Sequence, residues 1–129
     1  MICLDTTVVV DIFRGKEDLL PLLEKIRNEV HAVSSPSLME LWRGAFRSRY
    51  PEKEKHKVLE LIDSIVVMPF ETKSSLRAGE IEAELFNKGM IIDTEDIMTS
   101  AICIESQIPI VTRNVEHFSR IKGLEIISY

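Results

Sequence analysis

The groups in this chain best suited to chemistry are carboxylates that stand where apolar runs end. Met1-Ile2-Cys3-Leu4 stops on Asp5, followed by Thr6 and Thr7. Glu40 follows Val30-His31-Ala32-Val33, and Asp93, Glu95 and Asp96 follow Met90-Ile91-Ile92. Phosphodiester cleavage at neutral pH needs a nucleophilic hydroxide and a counter-charge on the phosphate. A hard divalent ion, Mg²⁺ or Mn²⁺, held by several carboxylate oxygens meets both needs. Each acid also has a plainer reading. Asp5 closes a strand, Glu40 pairs with Arg43 on a helix surface, and Asp93 caps a helix with Asp96 at the capping-box position.

Those acids need elements that bring them together. A buried strand at residues 1–4 puts Asp5 at its C-terminal end, the side of an open parallel sheet where ligands bind. Strands are further expected over Val30–Val33, Ile65–Met68, Ile108–Thr112 and Leu124–Ile127. Hydrophobic spacing predicts helices over Thr7–Arg14, Glu17–Asn28, Ser37–Ser48, Glu54–Ser64, Thr72–Asn87 and Asp93–Gln107. Pro51 is read as a break, and Leu76, Ile81 and Leu85 as the inward line of the fifth helix. On the third helix Leu38, Leu41, Trp42 and Ala45 form a core stripe. Glu40, roughly 200° from Leu38 at ~100° per residue, shares the opposite face with Arg43 and Arg47. Alternating strands and helices predict an α/β fold, a parallel sheet of about five strands flanked by helices.

Composition narrows the class. At 129 residues with 45% hydrophobic and 29% charged content, the chain is expected to be one domain, residues 1–129. No apolar run approaches the ~20 residues of a membrane helix, and Asp5 interrupts any signal peptide, so a cytoplasmic protein is expected with no membrane partner. Cys3 and Cys103 sit among apolar residues, as free thiols do, and no Cys/His spacing suits zinc. A net charge of −5 excludes nucleic-acid binding by bulk electrostatics. The charge is uneven, however. From Arg43 to Lys57 six bases face only Glu52 and Glu54, which suits either a solvated helix or a phosphate-binding face beside an acidic site. His31, His56 and His117 are scattered and read as structural or solvated. Met39 and Phe46 read as packing against a helix or a partner subunit.

Four segments in order carry a resemblance. Leu4-Asp5-Thr6-Thr7-Val8-Val9-Val10-Asp11-Ile12 with Arg14-Gly15, Ser34 through Gly44, Asp96-Ile97-Met98-Thr99-Ser100-Ala101, and Val111-Thr112-Arg113-Asn114 with Phe118 resemble the motifs of PIN-domain ribonucleases. The likeness is in particular to the VapC toxins of toxin–antitoxin pairs. The resemblance implies a Mg²⁺- or Mn²⁺-dependent endoribonuclease of PIN-like fold with Asp5, Glu40 and Asp96 as metal ligands. It also implies a homodimer, an RNA substrate and inhibition by a small VapB-like antitoxin. The fourth acidic position is Asn114 here, with Glu116 as a substitute, and Asp93 shares or displaces the role of Asp96. Thr7 is expected to hydrogen-bond a ligating carboxylate, and Arg43 and Arg47 to position RNA phosphates.

Two rivals are separable. A receiver domain needs an Asp after the third strand and a Lys after the fifth, and Met68-Pro69-Phe70 and the residues after Ile127 supply neither. A PIN-like module that binds RNA or a partner without cutting differs only in failing to cleave RNA when Mn²⁺ is supplied.

Overall fold

Ile2, Cys3 and Leu4 form β1 (Ile2–Leu4), and none of them is more than 3% exposed. The computed structural model describes residues 1–129 and places β1 at the centre of a five-stranded parallel sheet. The other strands are β2 (His31–Ser34), β3 (Val66–Met68), β4 (Ile110–Thr112) and β5 (Ile126–Ser128), in spatial order β3-β2-β1-β4-β5. Cys3 pairs with Ala32 on one side and with Ile110 on the other. The chain therefore runs from β1 out to one edge and then returns to the far side of β1. Such a reversal opens a crevice at the carboxyl ends of the strands, here beside Asp5.

Alternation along β1 divides the core in two, since successive side chains point to opposite faces. Ile2 and Leu4 join Val8, Val9, Leu22, Leu41 and Val58, whereas Cys3 joins Ala78, Ile81, Ile97, Ala101 and Phe118. Both cysteines are free and buried. The first layer holds α1 (Thr6–Phe13), α2 (Leu20–Ile26, entered through a 3-10 turn at Glu17–Leu19), α3 (Ser35–Arg47) and α4 (Pro51–Ser64). The second holds α5 (Thr72–Asn87), α6 (Thr94–Ser106) and the short α7 (Val115–Phe118). No helix is long and apolar enough to cross a membrane.

The departures from expectation have local causes. Ser34 accepts the Ser37 N–H at 3.0 Å, so α3 starts at Ser35 rather than at Ser37. Pro51 opens α4 instead of breaking the chain, because the first helical turn has no bonded N–H for proline to lose. Leu76 is 68% exposed, contrary to expectation. The buried line of α5 is Ser74, Ala78, Ile81 and Leu85, and Leu76 stands two positions from Ala78, on the opposite face at ~100° per residue.

Candidate active site

Asp5 does two jobs at the mouth of the crevice. As N-cap of α1 its Oδ1 accepts the Thr6 N–H at 2.8 Å, and its Oδ2 accepts the hydroxyls of Thr7 and Thr112, each at 2.8 Å. The residue is only 4% exposed, so these donors replace most of its water. Thr112 also accepts the Asn114 N–H at 2.9 Å, which ties the turn after β4 to the same carboxylate.

Glu40 reaches the crevice from the middle of α3. The Thr6 hydroxyl donates to its Oε1 at 3.3 Å, linking it to the first turn of α1. The relation of α3 to α6 is set by a buried cluster of hydroxyls in which Ser34 Oγ lies 2.7 Å from Thr99 Oγ1 and 3.0 Å from Ser37 Oγ. That cluster fixes how Glu40 faces Asp96, which sits in the first turn of α6.

The expected capping box on α6 does not form. Asp93 occupies the N-cap position without a side-chain cap bond, and the Asp96 carboxylate turns to His117, with Oδ2 3.2 Å from Nδ1. Asn114 Nδ2 lies 3.0 Å from the same ring nitrogen. A ring nitrogen makes one hydrogen bond, so the tautomer decides the role of Nδ1: unprotonated it accepts from the Asn114 amide, and protonated it gives Asp96 a positive or donor neighbour. His117, expected to be structural or solvated, thus stands inside the site.

These groups line one cleft of about 290 Å³, together with Thr6, Thr7, Val10, Asp93, Arg113 and Phe118. Burial and then the neighbouring charge of Asp96 push the Glu40 carboxyl up to about 7. Asp96 is likewise pushed up to about 7 by burial, followed by the charges of Asp5, Asp93 and Glu95. Like-charged groups that disfavour one another's ionisation in a cleft are suited to a cation. The acids are gathered around the cleft, but no three of them are drawn into a tight ligand cluster.

Other expected site residues lie outside it. Arg43 pairs with Glu95 at 3.4 Å, so it is not the partner of Glu40, and neither Arg43 nor Arg47 lines the cleft. The Glu116 side chain is 91% exposed and lies 3.9 Å from Arg120, away from the other acids. Arg113 and His117 do line it, as sequence reading did not anticipate. The only signal for either was the polar Thr112-Arg113-Asn114 run at a strand's end.

The PIN-domain family model matches residues 2–124. The chain belongs to the PIN-domain family. Within that family this PIN domain is similar to the VapC proteins. A ribonuclease VapC2 from Rickettsia felis is 31% identical over 125 residues, covering 94% of this chain and 92% of that protein. A tRNA(fMet)-specific endonuclease VapC from Salmonella typhimurium is 29% identical over 123 residues, covering 95% and 93%. The crystal structure of VapBC2 from Rickettsia felis bound to a promoter DNA fragment superposes with a TM-score of 0.90 at 29% identity, over 100% of this PIN domain and 99% of that chain. DNA-bound VapBC from Salmonella typhimurium gives 0.87 at 30% identity, over 99% and 98%. The PIN-like, parallel-sheet architecture expected from the sequence is the one found.

Proposed function

We propose that this PIN domain is the toxin of a toxin–antitoxin pair, an endoribonuclease that hydrolyses RNA phosphodiester bonds in the cytoplasm with Mg²⁺ or Mn²⁺. The observation that carries the reading is the meeting of Asp5 from the β1–α1 junction, Glu40 from α3 and Asp96 from the first turn of α6 in one cleft. Relatives named as ribonucleases and endonucleases support it.

Asp5, Glu40 and Asp96 would hold the ion, with Asp93 at the edge of the cleft as a further ligand. The donor set fits, since all are oxygen ligands whose mutual repulsion a hard cation relieves. When bound, such an ion makes water in the site more acidic and neutralises charge gathering on a phosphate. The chain's own residues supply the positioning. Thr7 and Thr112 hold Asp5 in one orientation, Thr6 steadies Glu40, and His117 orients Asp96. Asn114 takes the fourth acidic position as a neutral group that orients His117. Arg43 and Arg47 contribute positive charge outside the cleft, where longer RNA passes.

A VapB-like antitoxin is the proposed partner. An apolar groove of about 380 Å³ between α3 and α4, lined by Leu38, Met39, Trp42, Leu59 and Ile62, suits the apolar face of a helix. Exposed Phe86 and Ile91 supply apolar surface for the homodimer.

Labelled RNA incubated with the pure protein and Mn²⁺, with and without chelator, tests the reading. Cleavage that needs the metal and vanishes in a folded Asp5→Asn variant supports it. Metal-dependent cleavage retained by Asp5→Asn excludes the assigned site, and RNA binding without cleavage makes the chain a silent binding module.

A further inference from the structure

The cleft is built from acids, yet a nuclease must admit a polyanion. Asp5, Glu40, Asp93 and Asp96 line it, and Arg113 is the only Lys or Arg among the lining residues. The Arg113 side chain is 50% exposed, and its one carboxylate partner is Asp11, with Nη1 2.8 Å from Oδ2. Asp11 lies on α1 and takes no part in lining the cleft. The acid that holds Arg113 is therefore separate from the acids assigned to the cation.

Asp11 is an unusual anchor. Its side chain is 2% exposed, and a carboxylate so buried is costly unless it is paired. The Lys16 ammonium lies 3.0 Å from Oδ1 as an ion pair without the angular geometry of a hydrogen bond, and the Tyr129 hydroxyl donates to Oδ2 at 3.1 Å. The carboxylate is thus gripped from two further points of the chain and offers Arg113 a fixed point. A guanidinium carries five N–H donors in a rigid fork, so one edge can rest on Asp11 while others stay open to solvent. The tether also keeps this positive charge from pairing with Asp5 or Asp96, where it would compete with a cation.

We propose that Arg113 is a substrate-contacting residue whose guanidinium receives an RNA phosphate at the cleft, with Asp11 and Tyr129 as the residues that position it. The inference rests on the ribonuclease reading above. Charge-assisted, forked bonds to phosphate are what this geometry favours.

The test measures binding of a short fluorescent single-stranded RNA to Asp5→Asn protein with and without Arg113→Ala, across a salt series, and cleavage by Arg113→Ala alone with Mn²⁺. Loss of about 10- to 100-fold in affinity is expected for hydrogen bonds to a charged group. The salt slope should shrink by about 0.7, one single-strand phosphate contact. Free guanidinium should restore part of the cleavage, Arg113→Lys should fall between, and Tyr129→Phe should weaken RNA affinity without weakening that for Mn²⁺. Unchanged affinity and slope in Arg113→Ala, or a loss that guanidinium does not relieve, overturns the assignment while cleavage by the wild type keeps the ribonuclease reading. A wild type that neither binds nor cleaves RNA overturns both.

Discussion

Ser34 Oγ and Thr99 Oγ1 meet at 2.7 Å in the interior, joining the N-cap of α3 to the second turn of α6. The pair belongs to a buried polar cluster with Ser37, and such clusters stabilise only when every member is satisfied. Thr99→Val keeps the shape and removes the hydroxyl. The expected result is a loss of about 1–3 kcal/mol in unfolding free energy by urea titration, with reduced cleavage because Glu40 and Asp96 lose their fixed relation.

Thr112→Val tests the grip on Asp5. It deletes one of the two hydroxyls on Oδ2, leaving a nearly buried carboxylate short of a donor. A loss of about 1.5–3 kcal/mol is expected for a hydrogen bond to a charged group, read as a lowered urea midpoint with an unchanged slope.

Asp11 and Tyr129 make stability depend on pH at two edges. Burial pushes the Asp11 carboxyl up, but the contact with Lys16, the hydrogen bond from Tyr129 and the charges of Arg113 and Lys16 together outweigh it and hold Asp11 below the ordinary value of 3.8. A depressed carboxyl contributes stability that is complete above its unfolded value and is lost as pH falls through the folded one, here below 3.8. Burial, followed by the bond to Asp11, pushes Tyr129 up to about 12 from 10.0. Its contribution is complete below pH 10 and is lost as pH rises toward 12. Chemical denaturation from pH 2 to 12 should show both edges, and Asp11→Asn should flatten the acid one.

Metal should stabilise the fold. A ligand bound only by the native state at about a hundred times its dissociation constant contributes roughly 2.7 kcal/mol, so Mn²⁺ added to chelator-treated protein should raise the melting temperature. Asp96→Asn should abolish most of that rise. An equal rise in the variant would place the ion elsewhere.

Much of the architecture could be read from the chain because each strand is a short apolar run ended by polar residues, and α5 begins and ends where its spacing predicts. Asp5 and Glu40 were visible as acids at a strand exit and in the helix that follows one, whereas the apolar run before Asp96 is no strand but the link from α5 to α6. Their partners were not. Arg113 takes its role from Asp11, which in sequence looks like one polar residue in an apolar helix, and His117 lies in a four-residue helix too short to show a period. The plainer reading of Glu40 as a surface partner of Arg43 fails for a related reason. Helical geometry gives the face a side chain occupies, but the partner of Arg43, Glu95, comes from a different element.

Asp5 receives its Thr112 hydroxyl from 107 residues further along the chain. During synthesis, then, β1 must wait for β4 before its carboxylate is fully seated. Fragments that stop short of β4 would lack a finished site, so the assembled cleft exists only once both strands lie side by side.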